Sequence, residues 1–298
     1  MRPRVFPIYD ITTLPTYKPS LQPSIQSDEQ YIAMQRGILE QIYIETHGDK
    51  SWYTTENWLH DDVSVCKWYG CECNDMDKHI VTSFNLQSFK SPQEVPTVIG
   101  MLSKLEVLKI AGANIVGTLP SELFRLHQLK HMTVMSSMEG IMPSEIGTLR
   151  SLEYLELREN SFDGQIPTEL GLVQSLTYLD ISDHKYFTES TIPSEIGFLP
   201  SLHTLCMPRN GLNGTVPSEL FGLASLETLN LSSNSLHGTL PLTMELISLR
   251  KMDLSDNKLT GTIPGALSSL ESLEQLQMHV SIYNVVGVKR YLYHIFSF

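Results

Sequence analysis

Prolines recur along this chain at nearly constant intervals, and this period constrains the fold more than any other feature. Successive members of the series stand 23 to 26 residues apart: Pro96, Pro120, Pro143, Pro167, Pro193, Pro217, Pro241 and Pro264. A fixed period in this range is typical of a solenoid, in which each unit buries its apolar edge only against its neighbours. We therefore predict about eight repeats, each of 23–26 residues, over residues 80–278.

The clearest copy of the repeat, residues 152–167, reads L-x-x-L-x-L-x-x-N-x-F-x-G-x-I-P. Its leucines around Leu155 alternate with the period of two that marks a strand with one buried face. Asn160 can bond backbone groups inside an irregular turn, Gly164 lets the chain bend, and Pro167 fixes φ on the outer side. The strands are predicted to stack in parallel as one continuous sheet along the inner edge.

Some repeats depart from this pattern. The asparagine position holds Ala113, Ser137 and His184 in three of them, and the repeat with His184 carries two extra residues in the run KYFTES. We expect a local bulge there, around Tyr186. Residues 279–298 keep no repeat pattern and are interpreted as a degenerate tail.

The part of the chain before the repeats divides into a linker and a cap. Residues 1–27 are rich in Pro, Ser and Thr, which favours a disordered linker. Ser27 and Gln30 fit a capping box at the start of a helix. Gly48 is predicted to end this helix by adopting the left-handed conformation. Residues 28–79, which hold all three tryptophans and three of the four cysteines, are interpreted as an N-terminal cap. The predicted apolar face of the helix consists of Tyr31, Met34, Ile38, Leu39 and Ile42.

Composition narrows the classes of partner. The formal net charge is −12, and an acidic surface repels phosphate backbones, so nucleic acid is excluded as an expected partner. No stretch reaches the roughly 18 apolar residues of a membrane-spanning helix. The N-terminus shows no apolar core of the kind that a signal peptide carries. The chain as written is therefore expected to contain neither a membrane span nor an export signal.

The repeat resembles the plant-specific class of leucine-rich repeats, which occurs in the extracellular regions of receptor-like kinases and receptor-like proteins and in polygalacturonase-inhibiting proteins. The run Cys66-Lys-Trp68-Tyr-Gly70-Cys71-Glu-Cys73 resembles the cap signature C-x-W-x-G-V-x-C of that class, with Cys71 in place of valine. The amino-acid sequence of the cap, which follows a Pro/Ser/Thr-rich stalk, also resembles that of algal members of the class, those of diatoms in particular. The resemblance implies an α/β leucine-rich-repeat solenoid with a parallel inner sheet and a helical, cysteine-containing cap.

The same resemblance implies a disulfide between Cys66 and Cys73, with Cys71 as a competing partner. A zinc site formed by these three cysteines and His79 is the alternative, but a C-x-C pair with one remote histidine is not a usual zinc spacing. We expect no metal and no cofactor. Cys206 lies at an outward strand position and is expected to be a free thiol.

Outward strand positions of such a sheet are free to vary and are the expected binding surface. Tyr154 and Tyr178 should be lateral neighbours about 5 Å apart on adjacent strands. Tyrosine and arginine are the residue types that dominate binding hot spots, although a solvated face with two tyrosines covering each other is an equally simple interpretation. The candidate ligand-binding residues on the concave face are His131, Tyr154, Glu156, Arg158, Tyr178 and Asp180.

No catalytic motif is found, whether HExxH, GxSxG, a phosphate-binding loop or the kinase HRD and DFG sequences. Glu156 and Asp180 could in principle pair for acid–base chemistry, but an exposed face explains them more simply. We therefore predict that the chain is not an enzyme. Two sequons, at Asn213 and Asn230, are candidate glycosylation sites.

The predicted function is a non-catalytic ligand- or protein-binding module, at the cell surface or secreted, with its signal or anchor absent from this chain. Its partner would be a protein, a peptide or a polysaccharide on the concave face. The cap cysteines and the stalk-like N-terminus favour this interpretation, because disulfides persist in oxidising compartments. The alternatives are a cytoplasmic scaffold for other proteins and a secreted enzyme inhibitor.

Overall fold

The computed structural model describes residues 28–74, 79–87, 89–184, 186–187 and 189–278. The predicted linker, with Ser27 of the capping box, and the predicted tail at 279–298 lie outside the described residues. Two helices open the described chain, α1 (Asp28–Glu45) and α2 (Gly48–Ser51). Within the described residues, no helix combines the length and the apolar character that crossing a bilayer would require.

Helix α1 packs against the first coil through one face. Tyr31, Ile38, Leu39 and Ile42 are buried as predicted, and Met34 is partly buried and packs against the core. Gln35 and Tyr43 are also buried, which was not predicted. The Gln35 side chain accepts a hydrogen bond from the Val81 amide at 3.0 Å and donates to the His79 carbonyl, so it satisfies backbone groups at the start of the sheet.

The left-handed residue after α1 is His47 (φ 49°) and not Gly48, so that prediction is wrong by one position. Gly48 is required for a steric reason instead, because a Cβ atom there would lie 2.3 Å from the Tyr43 ring. The left-handed conformation after α1 is thus adopted by His47, and Gly48 allows the close approach of Tyr43.

Sixteen strands follow the helices within the residues that the structure describes. They are β1 (Cys71–Cys73), β2 (Val81–Leu86), β3 (Gln93–Glu94), β4 (Val107–Ala111), β5 (Ile115–Val116), β6 (His131–Met135), β7 (Glu139–Ile141), β8 (Tyr154–Glu156), β9 (Ser161–Asp163), β10 (Tyr178–Asp180), β11 (Thr204–Cys206), β12 (Thr228–Asn230), β13 (His237–Gly238), β14 (Lys251–Asp253), β15 (Lys258–Leu259) and β16 (Gln275–Gln277). Ten of them form one sheet in the order β1-β2-β4-β6-β8-β10-β11-β12-β14-β16. Only the β1–β2 pair is antiparallel, and the rest is the predicted parallel sheet.

A second set of short strands lies between the sheet strands in sequence and forms three two-stranded sheets, β3-β5, β7-β9 and β13-β15. Short 3₁₀ helices complete most coils, and seven of them begin directly after a proline of the periodic series. The 3₁₀ helices are Val65–Lys67, Thr97–Met101, Ser121–Arg125, Ser144–Thr148, Thr168–Leu172, Ser194–Phe198, Ser218–Gly222 and Gly265–Ser269. The coil after Pro241 has no such helix, because it is one residue short before its buried Leu246.

The core runs along the whole solenoid as a ladder of buried leucines, with the repeated asparagine closing each turn. Asn234 shows the pattern: its amide donates to the Leu231 carbonyl of its own coil at 2.9 Å and to the Met207 carbonyl of the preceding coil at 2.8 Å. Its carbonyl oxygen accepts from the amides of Asn210 and Leu212. One side chain thus satisfies backbone groups of two coils, as predicted from its residue type.

Candidate functional site

The predicted binding residues lie on the face of the ten-stranded sheet that points away from the core. Strand pairing aligns His131 with Tyr154 and Tyr154 with Tyr178, so three rings stand in one row on β6, β8 and β10. The intervening leucines, such as Leu155, are fully buried, which confirms the predicted alternation of the strands. We call this set, His131, Tyr154, Glu156, Arg158, Tyr178 and Asp180, the open-face patch.

The three rings stack along the solenoid. The Tyr154 and Tyr178 rings lie 4.3 Å apart between centroids at an interplanar angle of 9°, and the His131 ring lies 5.8 Å from that of Tyr154. Because the tyrosine faces cover each other, their edges and hydroxyl ends are what the patch presents to solvent. Both tyrosines are half-buried, whereas His131 is exposed.

Carboxylates hold the tyrosines in this orientation. The Tyr154 hydroxyl donates to Glu156 Oε2 at 3.2 Å, and the Tyr178 hydroxyl donates to Asp180 Oδ2 at 3.3 Å. Arg158 Nε lies 3.0 Å from Glu156 Oε1, so the charge of this carboxylate is paired. The Tyr154 hydroxyl, the Glu156 carboxylate and the Arg158 guanidinium therefore form one connected polar network beside the rings.

The tyrosine hydroxyls stay protonated at any physiological pH. Burial raises the pKa of Tyr178, and the neighbouring Asp180 carboxylate raises it further. Burial and the Glu156 carboxylate likewise raise the pKa of Tyr154. Both phenols are thus fixed as donors to their carboxylates.

Asp180 differs from the expectation of an exposed face, since it is only 7% exposed. Its carboxylate accepts a hydrogen bond from the Ser182 hydroxyl as well as from Tyr178. Sequence reasoning did not assign Ser182 a role, but the signal was present: the same acceptor–x–Ser spacing recurs at Asn230–Ser232 and Asp253–Ser255. In both of those pairs the serine hydroxyl donates to the side chain two residues before it.

The cap contains the disulfide that the resemblance implies. Cys66, in a 3₁₀ helix, is bonded to Cys73 at the end of β1, with the two Cα atoms 5.4 Å apart. This bond takes two of the four donors that the zinc alternative would need. Among the described residues, no group of three histidine, cysteine or acidic side chains is placed to hold a metal ion.

The other two cysteines are free. Burial raises the pKa of the Cys71 thiol far above its usual range. Cys206 lies half-buried beside the patch, where burial and the Asp180 carboxylate raise the pKa of its thiol to about 12. Neither thiol is activated as a nucleophile, because that would require a lowered pKa.

The two sequons lie in different environments. Asn213 is exposed, and its side-chain oxygen accepts from the Gly214 amide next to it, at 2.8 Å. Asn230 is half-buried on β12, where its side-chain oxygen accepts from both the amide and the hydroxyl of Ser232. Glycosylation of either residue stays a prediction, and the geometry favours Asn213.

Comparison with known proteins agrees with the architecture. The leucine-rich repeat region family matches residues 78–191, and the single leucine-rich repeat family matches residues 225–245 and 248–270. Together these segments make up more than half of the chain. The protein belongs to the leucine-rich-repeat family and is of the plant type.

Among curated proteins, Receptor-like protein 39 of Arabidopsis thaliana is 33% identical over 166 residues, which are 55% of this chain and 18% of the relative. Among solved structures, the leucine-rich-repeat ectodomain of the receptor kinase GASSHO1/SCHENGEN3 of the same plant, in complex with CASPARIAN STRIP INTEGRITY FACTOR 2, is 25% identical with a TM-score of 0.60. That match covers 82% of this chain and 35% of the ectodomain. The chain thus spans only a minor part of the length of these relatives.

A plant ice-binding protein has the same fold, with a TM-score of 0.51 and 20% identity, over 84% of this chain and 95% of that protein. At that identity the likeness concerns the fold alone. Since one fold carries different activities, function has to be argued from the surface.

Proposed function

We propose that this protein is a non-catalytic recognition module that binds a protein or peptide through the open-face patch. The observation that carries the proposal is the row of three stacked rings at His131, Tyr154 and Tyr178, on consecutive strands of the sheet's open face. Aromatic rings that are already held in place lose little conformational entropy on binding, and their open edges supply apolar contact area.

The polar part of the patch supports a polypeptide partner. The Arg158 guanidinium supplies donors, and the Glu156 carboxylate and the tyrosine hydroxyl oxygens supply acceptors, beside an apolar edge. Tyrosine and arginine are both enriched at protein interfaces. The patch lies on an open sheet and spans three coils, which suits an extended chain. The ectodomain of GASSHO1/SCHENGEN3 was solved with CASPARIAN STRIP INTEGRITY FACTOR 2 bound, and this relative supports the same class of function.

We further propose that the protein works at the cell surface or outside the cell, not as a cytoplasmic scaffold. The Cys66–Cys73 disulfide supports this location, because such bonds persist where the environment is oxidising. The exposed sequon at Asn213 would be modified in the same compartments. Non-reducing mass spectrometry of the protein from its own host tests the location, and a Cys66 that alkylates without reduction would exclude it.

The binding proposal is tested by replacing both stacked tyrosines, Tyr154→Ala with Tyr178→Ala. A polypeptide partner is first identified by photo-crosslinking from a probe at Thr204, the residue that pairs with Tyr178 on β11. We expect the double variant to bind this partner at least about 100-fold more weakly, since two hot-spot rings are lost. Isothermal titration calorimetry measures the change.

The matched control replaces Thr204 and Thr228 by alanine, at the same column of the next two strands. The control should bind within about threefold of the natural protein, since peripheral contacts contribute little. Circular dichroism of both variants shows whether the fold is retained. A folded tyrosine double variant with unchanged affinity would exclude the open-face patch as the binding site.

A further inference from the structure

His184 occupies the turn position that holds Asn160 and Asn210 in the coils on either side. Its ring is fully buried, with 0% of the residue exposed. The ring centroid lies 5.3 Å from that of Phe162 in the preceding coil and 4.9 Å from that of Phe187 in its own coil. Phe187 lies in the segment of this coil that is two residues longer than in the neighbouring coils, next to Tyr186, which pairs with Asp163 of the preceding coil in an isolated parallel bridge.

The buried ring lacks the partners that asparagine finds in this position. Neither ring nitrogen has a hydrogen-bond partner of acceptable geometry among the described residues, although the Leu157 carbonyl interacts with the ring. In the next turn, by contrast, Asn210 donates to the carbonyls of Ile181 and Met207. His184 is therefore a polar side chain that is buried away from water without the hydrogen bonds that buried polar groups usually make.

The charged group that acts on the His184 ring is Asp183, in its own coil. Asp183 in turn interacts with Arg158 of the preceding coil and Arg209 of the next, and Arg209 also interacts with Glu159 and Asp180. Arg209 Nη2 lies 2.7 Å from the Asp183 carboxylate, and this pairing lowers the pKa of Asp183. Because the Asp183 carboxylate is already paired with Arg209, it gives a protonated His184 ring only limited stabilisation.

We propose that His184 makes its coil a pH-sensitive element: protonation of the ring opens the turn between Phe162 and Phe187 and loosens the coil that carries Tyr178. An imidazolium cannot stay in a dry site between two phenylalanines, because a buried charge needs a partner or water. The proposal concerns the fold and stands whether or not the open-face patch binds a ligand.

The direction of the effect follows from the pKa. Burial lowers the pKa of His184 from an ordinary 6.5 to about 4, although the Leu157 carbonyl and Asp183 oppose the shift. The contribution of the neutral ring to stability is complete above pH 6.5 and is lost as the pH falls from 6.5 towards 4. Between pH 7 and pH 5 the equilibrium constant for opening rises about twentyfold, since the opened coil takes up a proton and the closed coil does not.

Hydrogen–deuterium exchange of the full chain tests the proposal at pH 7 and pH 5, after correction for the pH dependence of intrinsic exchange. Protection of the amides around His184 should fall about twentyfold from pH 7 to pH 5, while the turn at Asn210 keeps its protection. In His184→Asn, where the amide can donate to the Leu157 and Ile181 carbonyls, the loss should disappear. An equal loss in both proteins, or no loss in the natural protein, would overturn the proposal.

A second measurement does not depend on the variant. The His184 ring is titrated directly by NMR in the folded natural protein. The proposal requires a midpoint well below the ordinary 6.5. A His184 ring that titrates near 6.5 while the fold is intact contradicts it.

Discussion

At the scale of single residues, the sheet separates positions that hold the fold from positions that are free to carry function. Leu229 is fully buried on β12, whereas Ser232, three residues on, is half-buried on the open face and its hydroxyl donates to Asn230 at 2.7 Å. Burial of a leucine in a close-packed ladder is worth far more than one hydrogen bond that water can replace. The two positions should therefore respond very differently to alanine.

Leu229→Ala should lower the free energy of unfolding by about 2–5 kcal/mol, because it leaves a cavity between two coils. Ser232→Ala should change it by no more than about 0.5 kcal/mol. Urea unfolding followed by circular dichroism measures both variants. Equal costs for the two would show that the assignment of inward and outward positions is wrong.

At the scale of elements, the coils stack so closely that several glycines are required by their neighbours. A Cβ on Gly171, in the 3₁₀ helix Thr168–Leu172, would lie 2.6 Å from the Glu195 carbonyl oxygen of the next coil. Gly222 ends the equivalent helix Ser218–Gly222, and a Cβ there meets no atom within 4 Å. The two glycines form a matched pair for testing the stacking.

Gly171→Ala should destabilise the protein by about 1–3 kcal/mol, since a backbone oxygen cannot move aside as a side chain can. Gly222→Ala should be neutral or stabilise by up to about 1 kcal/mol, because alanine restricts the unfolded chain more than glycine does. Thermal unfolding of both variants measures the difference. A Gly171→Ala variant as stable as Gly222→Ala would mean that the coils stack less tightly than the structure shows.

The elements also show what sequence could and could not predict. The sheet strands and the asparagine turns could be predicted from the repeat, because the contacts of each side chain lie within its own coil or an adjacent one. The period itself can be read directly from the sequence. The burial of Gln35 and His184 could not be predicted, because it depends on which backbone groups and rings from other parts of the chain surround these two side chains. The open-face patch lies between these cases: the alignment of Tyr154 with Tyr178 was predictable from the period, but the burial of Asp180 was not.

At the scale of the whole molecule, the N-terminal cap covers the first coil with a cluster of aromatic rings. The cap packs Trp52, Trp58 and Trp68 into one aromatic cluster, with ring centroids 4.7 Å apart for the first pair and 4.8 Å for the second. Arg36 of α1 lies over the Trp68 ring at 4.9 Å. Because all three tryptophans are in this cluster, intrinsic tryptophan fluorescence reports on the cap alone.

This placement permits a test of how far stability spreads along the solenoid. Replacing Cys66 and Cys73 by serine removes a short loop closure and should cost about 2–3 kcal/mol in the cap. Each coil contacts only its neighbours, so this loss should weaken with distance from β1. In urea, the fluorescence midpoint of the double variant should fall clearly, while the circular dichroism midpoint, which averages over all coils, should fall less. A Cys206→Ser variant, which breaks no disulfide, serves as the control. If both midpoints fell by the same amount, cap and coils would unfold as one cooperative unit, and the disulfide would stabilise the whole sheet instead of its first strands.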